Sequence, residues 1–258
     1  MPMHWLAITD LLAALALGAA LGFTGGLFGI GGGIIAIPVL ALAFGMNQAM
    51  AQGTSLAMMV PVLLVGWLRY NRRHAVPGRP ALQIGVLASS TTWLVAHVAN
   101  QLEPNILRTV FGSFLLLLAL RMLMRNAVTQ AEAGSKLDIR LMPLVGILGG
   151  ASMGLLGIGG GLIATPVLTS LFGQRQTTAQ SLSLALVTPC SIIALATYGA
   201  AGSVDWSMGL PMAIGGLLTV SSGVAMAHRL PEQKMRIAFA WMILMTSLWL
   251  LLRPILMK

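Results

Sequence analysis

One apolar, glycine-rich stretch occurs twice in this chain, and the two copies start 128 residues apart. The first copy begins at Gly26 and reads GLFGIGGGIIAIPVL; the second begins at Gly154 and reads GLLGIGGGLIATPVL. Aligned without a gap, residues 26–61 and 154–189 are identical at 21 of 36 positions. Because the chain has 258 residues, the period is half its length. The duplication predicts two repeats, 1–128 and 129–258, in one integrated domain.

The composition is that of a chain that lies in a lipid bilayer. Hydrophobic residues make up 57% of it and charged residues 8%, whereas a soluble domain carries about 25% charge. Residues 11–68 contain no Asp, Glu, Lys, Arg or His at all. We therefore predict an integral, multi-pass protein of the inner (cell) membrane. Duplicated apolar chains are typical of transporters whose substrate site lies at the repeat interface.

The apolar segments predict an all-α polytopic protein with about five membrane-penetrating helices in each repeat. The second segment of each repeat is too short to span easily at 1.5 Å per residue. It is therefore either a half-helix or a short, strongly tilted one. The ten segments are 6–28, 34–45, 50–68, 81–99 and 105–124, followed by 141–156, 162–173, 180–200, 207–227 and 237–252.

The basic residues assign sides to the loops. The loops 69–79, 121–140 and 228–236 carry most of the Lys and Arg, and the positive-inside rule places all three in the cytoplasm. The net charge of +9 therefore belongs to short loops and does not indicate nucleic-acid binding. The basic loop 69–79 corresponds in the second repeat to 199–206, which has no basic residue. A basic charge that changes side between the halves predicts an inverted repeat.

The glycine runs are the best candidates for a substrate site. Three adjacent glycines should break a helix, because each glycine costs about 1 kcal/mol relative to alanine in a helix interior. Irregular backbone at membrane depth is tolerated only where protein buries it or where it lines a watery cavity. A helix that restarts there would offer free N–H groups and a positive dipole end to an anion. The predicted glycines are Gly29, Gly31, Gly32 and Gly33 with Gly157, Gly159, Gly160 and Gly161.

Polar side chains follow each glycine run at matching positions. Gln52 and Ser55 correspond to Gln180 and Ser183, and these four complete the predicted substrate-binding set. The alternative role is hydrogen bonding between neighbouring helices, which is common for such side chains in membranes. Upstream glycines spaced four apart predict close helix packing instead. They are Gly18, Gly22 and Gly26 with Gly146, Gly150 and Gly154.

Other chemistry has little support in the sequence. There is no Ser–His–Asp set, no pair of acids and no HExxH motif, so we predict neither enzyme activity nor a catalytic residue. The single cysteine, Cys190, excludes a multi-cysteine metal site, and we predict no cofactor and no metal. His97 lies near the end of an apolar run and is interpreted as a capping or interfacial residue.

The doubled glycine motif, followed in each copy by QxxxQxxSL, resembles the sulfite exporter TauE/SafE family, also called the toluene sulfonate uptake permease superfamily. The resemblance covers essentially the whole chain. It implies an inner-membrane permease for small sulfur-containing anions such as sulfite, sulfoacetate, taurine-derived products or sulfonates, and it fixes no direction of transport. The family motif falls on the predicted glycines and on Pro38 and Pro166.

The leading hypothesis is a secondary transporter that binds a small sulfur oxyanion between the repeats and works by alternating access. A passive anion channel on the same scaffold is the alternative, and a non-transporting membrane protein is a third. The expected partners are the anion and membrane lipids, with no nucleic acid. The sequence leaves the particular anion, the direction, any coupling ion and the oligomeric state open.

Overall fold

The structure is a computed structural model that describes residues 8–28, 32–71, 78–124, 138–174, 176–227 and 232–256. Within these ranges the chain is helical, with ten α-helices, one 3₁₀ helix at Ile139–Leu144 and no strand. The first repeat contains α1 (Ile8–Phe28), α2 (Gly33–Ala43), α3 (Gln48–Asn71), α4 (Gly78–Gln101) and α5 (Pro104–Met124). The second contains α6 (Val145–Leu156), α7 (Gly161–Ser170), α8 (Gln176–Ala200), α9 (Trp206–Ala227) and α10 (Glu232–Leu256).

The helices fall into two length classes. Seven of the described helices have 21 to 25 residues, which is about 31–38 Å at 1.5 Å per residue and enough to cross a bilayer. Five helices in the described part are both long and apolar enough to span a membrane. The helices α2 and α7 have only 11 and 10 residues. The chain is thus a multi-pass membrane protein, and the predicted short second segments are present.

Each repeat packs mainly against the other repeat. The helix α1 lies along α9, and α4 lies along α6; α3 crosses α8, and α5 packs on α10. Because α6 corresponds to α1 and α9 to α4, the first two contacts are one contact with the repeats exchanged. The two repeats therefore form one domain and not two adjacent bundles.

The upstream glycines make the closest of these helix contacts. A Cβ placed on Gly22 would lie 2.8 Å from the carbonyl carbon of Gly216 on α9. A Cβ on Gly150 would lie 2.9 Å from the carbonyl carbon of Ala88 on α4. These distances leave no room for a side chain, so the predicted packing role is confirmed at five of the six positions: Gly18, Gly22, Gly146, Gly150 and Gly154.

The same contacts obey the repeat numbering. Gly22 meets Gly216, while Gly150 meets Ala88, and both members of the second pair differ by 128 from a member of the first. Gly18 with Met212 and Gly146 with Ile84 behave in the same way. The two helix pairs therefore share one register.

The helix α3 forms the centre of the molecule. Every residue from 51 to 59 is buried, although this segment includes Gln52, Thr54 and Ser55. The helix contacts α2, α8 and α9. Large apolar side chains on outer helices, in contrast, are widely exposed, as at Leu82, Leu117 and Leu218. Burial of polar groups at the centre and exposure of apolar groups outside is the pattern expected where the outer solvent is lipid.

Candidate functional site

The second glycine run separates two helices by a short turn. The helix α6 ends at Leu156, and Gly157 has a φ of +66°, with its N–H donating to the carbonyl oxygen of Met153 at 3.0 Å. Gly159 has a φ of +86°, and α7 begins at Gly161. Both positive φ angles favour glycine, because a Cβ is disfavoured there. The first copy shows the same geometry at Gly32, whose φ is +80° and which precedes α2.

The helices that restart after these turns have no side-chain cap. At α2 the N–H groups of Ile35 and Ala36 donate to the carbonyl oxygen of Gly32. At α7 the N–H groups of Ile163 and Ala164 donate to the carbonyl oxygen of Gly160. No side chain caps either start, and the N–H groups that open each helix have no partner within it. Both starts therefore offer hydrogen-bond donors at a positive dipole end.

The two glycine runs meet in space. A Cβ placed on Gly33, the first residue of α2, would lie 3.2 Å from the carbonyl oxygen of Gly157. It would also overlap the sulfur of Met59 on α3. The cleared space at Gly33 thus lets a turn of the second repeat approach a helix start of the first repeat. A substitution here would act on both repeats at once.

Gln52 lies beside this meeting point. A Cβ on Gly157 would lie 3.3 Å from the Cβ of Gln52 and 3.5 Å from its Cγ. The amide of Gln52 is fully buried, and its Oε1 accepts a hydrogen bond of 2.7 Å from the hydroxyl of Tyr198 on α8. Its Nε2 has no hydrogen-bond partner among the described residues. The site therefore contains a buried amide with two unused N–H donors.

Gln48 lies one helical turn before Gln52. It is 3% exposed, and neither atom of its amide has a partner in the described part of the chain. Residues four apart share one face of a helix. Since a buried unpartnered polar group is costly, two of them in succession on α3 indicate a place that a ligand or water occupies.

The paired serines flank the glycine runs. The hydroxyl of Ser183 on α8 lies 3.4 Å from the carbonyl oxygen of Gly161 and is the donor of that long bond. Ser55 on α3 directs its hydroxyl to the sulfur of Met59 at 3.6 Å. Both serines are buried. Their bonds are weak by length or by acceptor type, so both hydroxyls can turn to a stronger acceptor.

The structure brings nine of the twelve predicted site residues to the helices and turns around the crossing of α3 and α8: Gly32, Gly33, Gln52, Ser55, Gly157, Gly159, Gly160, Gly161 and Ser183. Two of them pack within their own repeat, since Gly32 faces the carbonyl oxygen of Leu21 and Gly160 faces the backbone of Gly149. Gly29 and Gly31 lie outside the described residues, as does the side chain of Gln180. A substrate-binding role for the set remains a prediction.

Sequence reasoning missed Tyr198. Its hydroxyl bonds Gln52 and also lies 3.1 Å from the carbonyl oxygen of Gly154, so it touches α3 and α6 from α8. A signal existed, because the chain has only two tyrosines and the other, Tyr70, stands 128 residues earlier. Matching positions in the two repeats could have marked both.

Two other features of the described residues carry no anion chemistry. An apolar cleft of about 290 Å³ lies between α2 and α10, with Ile34 and Pro38 on one wall and Met242 on the other. Its polar group, the hydroxyl of Thr246, already donates within its own helix. The described residues contain no group of three or more His, Cys, Asp or Glu that could hold a metal ion.

The approach at Gly33 can be tested by stability. Gly33→Ala is expected to lower the free energy of unfolding by about 1–3 kcal/mol, the usual cost of overpacking. Met59→Val should relieve part of this loss, because Val187 stands at the matching position and makes ordinary contact with Gly161. Chemical unfolding in detergent of both single variants and the double variant measures the coupling. Strictly additive effects would show that Gly33 and Met59 do not compete for this space.

The fold and the site define a polytopic membrane protein with a polar centre built at two broken helices. The family model described as "Sulfite exporter TauE/SafE" matches residues 14–250. The chain therefore belongs to this family, and the family makes it a membrane transporter. No solved structure gives a significant match.

Similar proteins carry names of the same kind. A "probable membrane transporter protein" of Xylella fastidiosa is 27% identical over 234 residues, which is 88% of each chain. One from Methanocaldococcus jannaschii is 26% identical over 255 residues, covering 92% of this chain and 94% of its own. Another, from Bacillus subtilis, is 24% identical over 244 residues, covering 84% and 88%. These names support transport and say nothing of the substrate.

Proposed function

We propose that this protein is a secondary transporter for a small sulfur-containing anion: sulfite, a sulfonate or a related oxyanion. The single observation that carries the proposal is the meeting of the two glycine runs at Gly33 and Gly157, beside the unpartnered Nε2 of Gln52. Backbone N–H groups, helix dipoles and an amide donor can bind an anion without a charged side chain in the membrane. The choice of sulfur follows from the family description.

The two repeats, 1–128 and 129–258, are proposed to be inverted. Each contains five α-helices in the described residues. If every helix enters and leaves on opposite faces, an odd number turns the second repeat over relative to the first. The exchanged contacts of α1 with α9 and of α4 with α6 support a two-fold relation between the repeats. The change of side of the basic charge supports inversion in particular.

Alternating access then has a physical basis. The site lies where α3 of one repeat crosses α8 of the other, so a small movement of one repeat against the other opens it to one side. No ATP-binding motif is present in the sequence. The driving force is therefore an ion gradient or the membrane potential, which contributes about 2.3 kcal/mol per 100 mV for a monovalent anion.

The proposed location is the inner membrane of the cell, with the loops 69–79, 121–140 and 228–236 on the cytoplasmic side. Residues 72–77, 125–137 and 228–231 of these loops lie outside the described part of the chain. Their sidedness therefore stays a proposal from the distribution of Lys and Arg. Cysteine labelling from each side of the membrane, after replacement of Cys190, would test it.

Counterflow in proteoliposomes tests the transporter against the channel. Vesicles loaded with unlabelled sulfite and diluted into a trace of labelled sulfite are expected to accumulate label transiently. A carrier exchanges one anion for another and gives this overshoot together with saturable flux. A channel would give an unsaturated current without overshoot. Flux of no sulfur anion at all would overturn the proposal.

A further inference from the structure

We propose that Tyr198 is a positioning residue that fixes the Gln52 amide with its Nε2 toward the glycine turn, so that this position selects anions that only accept hydrogen bonds. The inference rests on the proposed function and adds a rule for the choice of substrate. It concerns one atom pair, and it can fail while anion transport stands.

The hydrogen-bond geometry carries the first step. The hydroxyl of Tyr198 has one proton and two acceptors near it, Oε1 of Gln52 at 2.7 Å and the carbonyl oxygen of Gly154 at 3.1 Å. The shorter contact marks the stronger bond, so the proton points to Gln52. A primary amide carries its oxygen and nitrogen on opposite sides of one carbon. Once Oε1 faces Tyr198, Nε2 must face away from it.

The burial of the amide carries the second step. Gln52 is fully buried, and Nε2 has no partner among the described residues. The stem of the side chain packs against Gly157, the φ-positive glycine that ends α6. Buried polar side chains are nearly always bonded, and an exception calls for a missing ligand or water. The two free N–H groups of Gln52 are therefore assigned to a ligand at the turn.

The chemistry of the ligand follows. An amide held in this way donates two hydrogen bonds and accepts none from the ligand, because its oxygen is occupied by Tyr198. Sulfate and sulfonates carry only acceptor oxygens. Hydrogenphosphate has nearly the same size and the same charge as sulfate, but one of its oxygens carries a proton. That proton would be buried against donors, and a site rejects a ligand whose polar group it leaves unpaired.

The other arrangement of the same atoms gives the opposite rule. If the hydroxyl of Tyr198 donated to the Gly154 carbonyl, it would accept from Nε2, and Oε1 would face the turn. Gln52 would then favour an anion that carries a hydroxyl group. The two arrangements thus differ in the sign of a measurable preference.

The experiment compares the binding of sulfate and of hydrogenphosphate to the full-length protein in detergent at mildly alkaline pH, by titration calorimetry. The native protein is expected to bind sulfate at least about tenfold more tightly, the effect of one unpaired buried group. In Tyr198→Phe the amide is free to turn over, and the ratio is expected to fall toward one. Thr197→Val is the control, because that hydroxyl bonds only Ile193 of its own helix; it should keep the native ratio.

Each outcome decides the inference. A ratio unchanged in Tyr198→Phe overturns it and leaves the proposed function intact. A native preference for hydrogenphosphate, or no discrimination between the two anions, overturns it as well. Failure of the native protein to bind sulfite, sulfate or any other sulfur anion overturns the proposed function itself.

A second variant keeps the test decisive if Tyr198→Phe does not fold. Gln52→Met keeps the length of the side chain and removes both amide atoms. It is expected to lose the preference for sulfate over hydrogenphosphate. Retention of the native preference in Gln52→Met would overturn the inference.

Discussion

Gln52→Glu is expected to abolish anion transport while the helices stay folded. The new side chain has the shape of the old one, and it lies beside the turn at Gly157. As a carboxylate it repels a bound anion by about 4 kcal/mol at 4 Å and an effective dielectric constant of 20, which is about a thousandfold in affinity. As a neutral acid it lacks the two N–H donors of the amide. Both protonation states therefore oppose binding.

Uptake of labelled sulfite into proteoliposomes measures this effect. Gln101→Glu is the matched control, since Gln101 is exposed at the last turn of α4 and its change adds the same charge far from the site. Its flux should equal that of the parent. If Gln52→Glu transports at the parent rate, Gln52 does not face the anion and the proposed site is wrong.

The second large effect is on folding. Gly22→Leu and Gly150→Leu are each expected to prevent the formation of a stable protein, because the new side chains run into the backbones of Gly216 and Ala88. Overpacking by a single methylene costs about 1–3 kcal/mol, and here a whole side chain meets backbone that cannot rotate away. The two variants should fail to a similar degree, since they occupy matching positions of the two repeats.

Gly85→Leu is the control for this pair. It lies inside α4, and nothing stands within 4 Å of a Cβ placed on it. It should be as stable as the parent or slightly more stable, because leucine favours helix over glycine. Yield and thermal unfolding of the detergent-purified variants provide the comparison. Well-folded Gly22→Leu protein would contradict the close crossing of α1 and α9.

The sequence predicted the helices well, because their information is local. Each apolar segment became a helix, and the spacing of Gly146, Gly150 and Gly154 correctly indicated close packing. The spacing could not name the partner, since a stripe of small residues fits any helix that presents a complementary face. That α6 packs on α4 is a property of the whole chain.

The centre of the site was only half predictable. Gln52 could be found because it recurs at the matching position in the second repeat. Tyr198 could not be joined to it from sequence, because 146 residues separate the two and their bond depends on the crossing of α3 with α8. The exchange of Met59 for Val187 likewise makes the repeats unequal at Gly33 and Gly161. Its consequence needed the distances.

The most direct test is to locate a bound anion. Selenate has the shape and charge of sulfate, and its selenium gives an anomalous X-ray signal. In crystals grown with selenate, we expect a peak within hydrogen-bond reach of Nε2 of Gln52 and the starts of α2 and α7, and no such peak in Gln52→Glu. A selenate peak elsewhere in the membrane-spanning part, with this position empty, would contradict the assignment of the two glycine runs as the anion site.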